Sequence, residues 1–84
     1  MKVKLGTKVK TLVDWSGVPK GSVGYIVEDY GTGFTVAWDL DEKPYPHELS
    51  FEEVAKMYAV NYKCPLRDGF DKDKEMQYLE VVNE

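Results

Sequence analysis

Two stretches of alternating residues, VGYIVED (23–29) and FTVAWD (34–39), are joined by the turn formers of YGTG (30–33), and nothing else in the chain restricts its fold as strongly. Gly31 and Gly33 tolerate the positive φ that a tight hairpin connection demands. On the return segment Phe34, Val36 and Trp38 fall on one face and Thr35, Ala37 and Asp39 on the other. On the outgoing segment Val23, Tyr25 and Val27 alternate with Gly24, Ile26 and Glu28, so both faces are partly apolar. Period-two alternation on both sides of a glycine-rich turn predicts a β-hairpin.

The rest of the chain adds short elements around this hairpin. KVKTLV (8–13) reads as a first strand with Val9, Thr11 and Val13 on one side. DWSGVPKGS is a loop, because Gly17, Pro19 and Gly21 break any helix. LDEKPYPHEL holds two prolines and is read as a loop or edge segment. SFEEVAKMYAV carries the S-x-x-E pattern of a capping box, Ser50 with Glu53, and Phe51, Val54, Ala55 and Tyr58 recur at helical spacing, predicting one helix over about 51–58. The following NYKCPLRDGFDKDKEMQ has turn chemistry at Pro65 and Asp68-Gly69 and suits a helical turn near 72–77. YLEVV (78–82) is a closing strand with Leu79 and Val81 inward, returning beside the first strand. A sheet this small removes its unpaired edges by curling on itself. The prediction is a mostly β fold: one domain over residues 1–84, a small antiparallel barrel of about five strands, with a helical insertion at about 50–60 before the last strand.

With 84 residues the chain buries only roughly 60–65% of its unfolded surface. Two Trp, six Tyr and three Phe supply the apolar payload that argues against disorder. No apolar run reaches the roughly 18 residues needed to cross a bilayer, and MKVKLGTKVK lacks the apolar stretch of a secretory signal, so no membrane role is expected. Cys64 is the single cysteine, which excludes an internal disulfide and points to a reducing cytoplasm. The net charge of −4 is unevenly spread. Residues 1–20 carry five lysines against Asp14, a net +4, while residues 21–84 carry six basic against fourteen acidic side chains, a net −8. Such a balance either keeps a small domain soluble or presents an acidic face to a basic partner.

Catalytic chemistry finds little support. His47, between Pro46 and Glu48, is read as a solvated loop residue rather than a general base. Cys64 beside Lys63 is read as an inert, partly buried thiol. DKDKE (71–75) lacks the glycine and the terminal glutamate of a calcium loop, because Met76 and Val82 stand at those positions. Asp39, Asp41 and Glu42 are read as a solvated acidic turn, and no phosphate-binding glycine loop is present in the sequence. The expectation is a non-enzyme with no cofactor and no metal.

The segment GTKVKTLVDWSGVPKGSVGYIVEDYGTGFTVAW resembles the KOW-type version of the SH3-like barrel over about residues 5–39. The matching positions are Gly6, Val9, Gly17, Lys20, Gly21, Gly24, Ile26, Val27 and Val36. The resemblance implies an SH3-like barrel and either protein or nucleic-acid association. RNA-binding members place basic residues between and after these glycines, where this chain has Ser22, Val23 and Tyr25. Affinity for nucleic acid rests largely on Lys and Arg. The residues of signalling SH3 domains that grip Pro-rich peptides are absent.

The functional expectation is therefore a protein-interaction module. Trp15, Tyr30 and Tyr45 sit beside turn residues, where aromatics either pack across a barrel mouth or anchor an interface. They are assigned here to partner binding, converging on one groove beside Asp41 and Glu42. Residues 39–53 hold six acids against Lys43, suiting a basic protein partner. The alternative is a KOW-like nucleic-acid-associated accessory protein of transcription or translation, using the basic first strand.

Overall fold

The computed structural model describes residues 4–57, 65–73 and 76–82. Five strands form one antiparallel sheet: β1 (Lys8–Thr11), β2 (Val23–Asp29), β3 (Gly33–Asp39), β4 (Arg67–Asp71) and β5 (Leu79–Val81). The helix α1 (Phe51–Met57) lies between β3 and β4, and a 3-10 turn (Met76–Tyr78) leads into β5. The spatial order is β4-β3-β2-β1-β5, so the closing strand does return beside the first, with Val9 opposite Val81. The sheet curls into a half-barrel whose edges, β4 and β5, are not paired with each other among the described residues.

The predicted hairpin is β2–β3, and Gly31 takes φ +85° at its turn. Its inward residues Ile26, Phe34, Val36 and Trp38 join Val9, Val18, Phe70 and Leu79 inside the curl. Trp38 is fully buried, and its indole N–H donates to Asp68 Oδ2 at 2.8 Å, so its polar atom is satisfied across the β3–β4 pair. Gly24 sits opposite Trp38, and a Cβ there would lie 2.5 Å from Val36 Cγ1 and 2.8 Å from Trp38 Cε3. The core indole takes the space that a side chain at 24 would occupy. The outer face is also covered. Val27, Ala37, Tyr45 and Val54 form a second cluster, in which α1 and the 45–49 segment pack on the hairpin.

The structure corrects three expectations. Simple alternation puts Glu28 on the Gly24/Ile26 face, but a β-bulge shifts the register between Ile26 and Glu28. Glu28 then pairs with Thr35 on the outer face instead of entering the core. Bulges re-aim side chains in this way. RDGFD, read above as turn chemistry, is the strand β4. Phe70 pairs with Phe34 and stacks on it at 5.6 Å, and this inward contact recruits the segment to the sheet. The helix consequently precedes the last two strands. The first strand also ends at Thr11, two residues short of the predicted Val13. The capping box is formed as predicted: Glu53 N donates to Ser50 Oγ (3.2 Å), and Ser50 N donates to Glu53 Oε1 (3.0 Å). Residues 58–60 of the predicted insertion, Cys64 and residues 74–75 of DKDKE lie outside the described residues.

Candidate functional site

A groove of about 590 Å3 runs along one side of the sheet. Val23 and Tyr25 of β2 line it from the sheet, Pro19 and Lys8 from one flank, and Asp39, Leu40, Asp41 and Glu42, where β3 ends, from the other. The β1–β2 register explains why Lys8 is here. Val9 and Thr11 face the core, so Lys8, opposite Tyr25, faces outward with it.

Tyr25 is braced from behind. Its ring lies 4.6 Å from that of Tyr45, and His47 meets both edge-on, at 5.5 Å from Tyr25 and 5.2 Å from Tyr45. Asp39 ties this cluster to the groove wall: Oδ1 accepts the Tyr45 backbone N–H at 2.9 Å, and Oδ2 lies 3.3 Å from His47 Nε2. Tyr45 itself is buried, and its hydroxyl finds no hydrogen-bond partner among the described residues. Burial pushes its pKa up to about 12, with a smaller contribution from the neighbouring Tyr25. The result is a preformed aromatic wall beside a carboxylate wall.

Asp41 and Glu42 are exposed on this groove. The three aromatics assigned above to a shared groove are in three different places. Trp15 is half-buried, edge-on to Phe70 (5.4 Å) and Tyr78 (5.7 Å), with its indole N–H donated to Thr11 Oγ1 at 2.7 Å. It bridges β4 and the approach to β5. Tyr45 supports the groove from below. Tyr30 is 62% exposed at the hairpin turn, its hydroxyl donating to Glu28 Oε1 at 2.7 Å. The expected convergence fails because the loop carrying Trp15 folds back through a bridge between Trp15 and Val18, turning the indole toward the core.

Tyr25, Val23, Leu40 and Lys8 were missed as groove residues. Their signal was the partly apolar outer face of β2, which marks a surface needing cover without saying whether a helix or a groove supplies it. The basic first strand is partly neutralised, since Lys10 Nζ lies 3.4 Å from Glu80 Oε2 of β5. Among the described residues, no three of His, Cys, Asp and Glu gather as a metal cage. No helix there is long and apolar enough to cross a membrane. Comparison with protein-family models, with curated proteins and with solved structures returned no match.

Proposed function

We propose that this chain is a non-catalytic, SH3-like protein-interaction module of the reducing cytoplasm, docking a basic segment of a partner protein in the Tyr25 groove. The observation that carries this reading is the pairing of an apolar wall, Val23, Tyr25 and Leu40, with the carboxylates Asp39, Asp41 and Glu42 on a single depression. An aromatic braced by a second ring loses little entropy when a partner settles on it, and such rings dominate interface energies. Carboxylates around it accelerate encounter with a cationic partner.

The KOW-like alternative draws on the lysines of residues 1–20, but Lys8 shares the groove with three carboxylates, and Lys10 is paired with Glu80. That arrangement favours protein over phosphate backbone. The test is a peptide library probed with the wild type and with an Asp41→Lys/Glu42→Lys variant. Wild-type binders should be enriched in Lys and Arg beside apolar residues. The variant should lose roughly tenfold in affinity for them through slower association, with a flatter salt dependence. Binding to single-stranded RNA or duplex DNA that collapses with added salt, with no peptide bound, would transfer the assignment to the KOW-like reading.

A further inference from the structure

Gly69 is a strand glycine that the fold does not require. The β3–β4 register runs without a bulge from Gly33↔Asp71 to Ala37↔Arg67. Gly69 is exposed, and a Cβ built on it meets nothing within 4 Å. Its φ lies outside the left-handed range, unlike Gly31 in the neighbouring turn. Gly33 across the hairpin end offers the contrast, since a Cβ there would lie 2.5 Å from the Phe70 carbonyl oxygen. A mid-strand glycine weakens its strand and, where no bulge or bend accounts for it, marks a place where another molecule approaches the backbone.

The surroundings suit a visitor. Two shallow depressions, of about 330 Å3 and about 280 Å3, meet here, and both are lined by Tyr30 and Gly69. Tyr30 lines both, its hydroxyl donating to Glu28 Oε1 (2.7 Å) and accepting from Thr35 Oγ1 (3.4 Å). The ionisable lining is Glu28, Asp68 and Asp71 against Arg67, whose guanidinium donates to the Ala55 carbonyl at 2.6 Å. Asp68 lies opposite Val36 and its Oδ2 already accepts the Trp38 indole N–H, so Glu28 and Asp71 are the carboxylates on the Gly69 face. An exposed aromatic face beside a surplus of carboxylates attracts a cation that can stack and hydrogen-bond at once.

We propose that the notch over Gly69 is a second docking site, in which a lysine or arginine side chain of a partner protein lies across Gly69 against the Tyr30 ring and between Glu28 and Asp71. The site lies outside the Tyr25 groove and does not depend on it. A partner engaging both places would gain from the second contact by raised effective concentration.

The test uses isotope-labelled protein titrated with hexa-arginine at low salt and followed by amide chemical shifts. Saturable shifts are expected at Tyr30, Thr35 and Gly69, and they should persist in the Asp41→Lys/Glu42→Lys variant. Gly69→Val should fill the notch while keeping or raising thermal stability, because a β-branched residue suits an open strand position. Both Gly69→Val and the exposed Tyr30→Ala should weaken binding at these amides about three- to fivefold or more. Shifts spread evenly over the acidic surface, or lost in the groove variant, would overturn the proposal. Undiminished binding by Tyr30→Ala would do the same, independently of how Gly69→Val folds. Concentration-dependent shifts at Tyr30 and Gly69 without peptide would assign the notch to a second copy of the chain, also overturning it. Absence of shifts at Tyr25 and Leu40 bears on the groove alone.

Discussion

At position 45 a phenol hydroxyl is buried beneath Tyr25 and beside Val54 with no hydrogen-bond partner among the described residues. A buried donor left unpaired costs about 1–3 kcal/mol, so Tyr45→Phe should leave stability at pH 7 unchanged or raise it. A clear loss would reveal a partner for the hydroxyl in the folded protein. The same burial gives an alkaline signature. The folded state holds the Tyr45 proton up to about 12, above its ordinary value of 10.0, so folding favours the neutral phenol. That stability is fully present below pH 10 and is lost as pH rises from there toward 12. Urea midpoints of the wild type should fall over this range more steeply than those of Tyr45→Phe. Ultraviolet titration should also show one late tyrosinate missing from the variant. None of this is legible in LDEKPYPHEL, where two prolines and four charged residues signal only an exposed loop. Tyr45 is drawn in because Asp39 accepts its backbone N–H, a contact six residues away that no local pattern announces.

Elements were legible to the extent that their own residues specify them. The hairpin was readable because alternation and a glycine turn agree, and α1 because Ser50 and Glu53 close its first turn. β4 was not, because Asp68-Gly69 is a turn signature in isolation and the strand exists through one inward ring, Phe70, stacked on Phe34. The bulge was hidden for a similar reason, since only the partner strand reveals that Glu28 opposes Thr35. Two of these elements carry carboxylates that acid should release. Glu53 is held below its ordinary 4.5 by hydrogen bonds from the backbone and side chain of Ser50, and Asp29 below 3.8 by the Lys72 ammonium and the Gly31 amide. Both favour the charged form when folded, so their stabilisation is present above the ordinary values and is lost as pH falls through the lowered ones. A Glu53→Gln/Asp29→Asn variant should melt lower than wild type at neutral pH, and the gap should narrow progressively below about pH 4. A gap that is the same at pH 7 and pH 3 would show that neither carboxylate matters as an anion. Both groups are solvent-facing, so the effect should be small and reduced by salt.

The whole molecule is a curled sheet whose two edge strands are not joined by hydrogen bonds among the described residues, and the seam between them is closed by side chains. Trp15 is the closure. Its ring rests edge-on against Phe70 of β4 on one side and Tyr78, next to β5, on the other, while Thr11 Oγ1 accepts its N–H. Thr11 is itself buried and is the last residue of β1, opposite Leu79 of β5, so the contact ties the seam to the β1–β5 side of the sheet. A loop tryptophan beside Gly17 is equally consistent with an interface anchor when only the sequence is read, and this is where sequence reasoning stops. The edge that needs closing is created by all five strands together. If Trp15 seals the seam, Trp15→Ala should cost about 2–4 kcal/mol, toward the lower end for a half-buried aromatic, and should speed amide exchange in β4 and β5 more than in the β2–β3 hairpin. Trp15→Phe keeps ring contact but removes the shorter of the two hydrogen bonds that Thr11 Oγ1 accepts, leaving the Val13 N–H at 3.3 Å, so it should cost less than Trp15→Ala and leave the exchange of β4 closer to wild type. An interface anchor would behave in the opposite way: Trp15→Ala would keep its melting temperature and lose only partner affinity. Thermal melts and hydrogen exchange of the two variants, measured without any partner, therefore separate closure of the half-barrel from recognition at its surface.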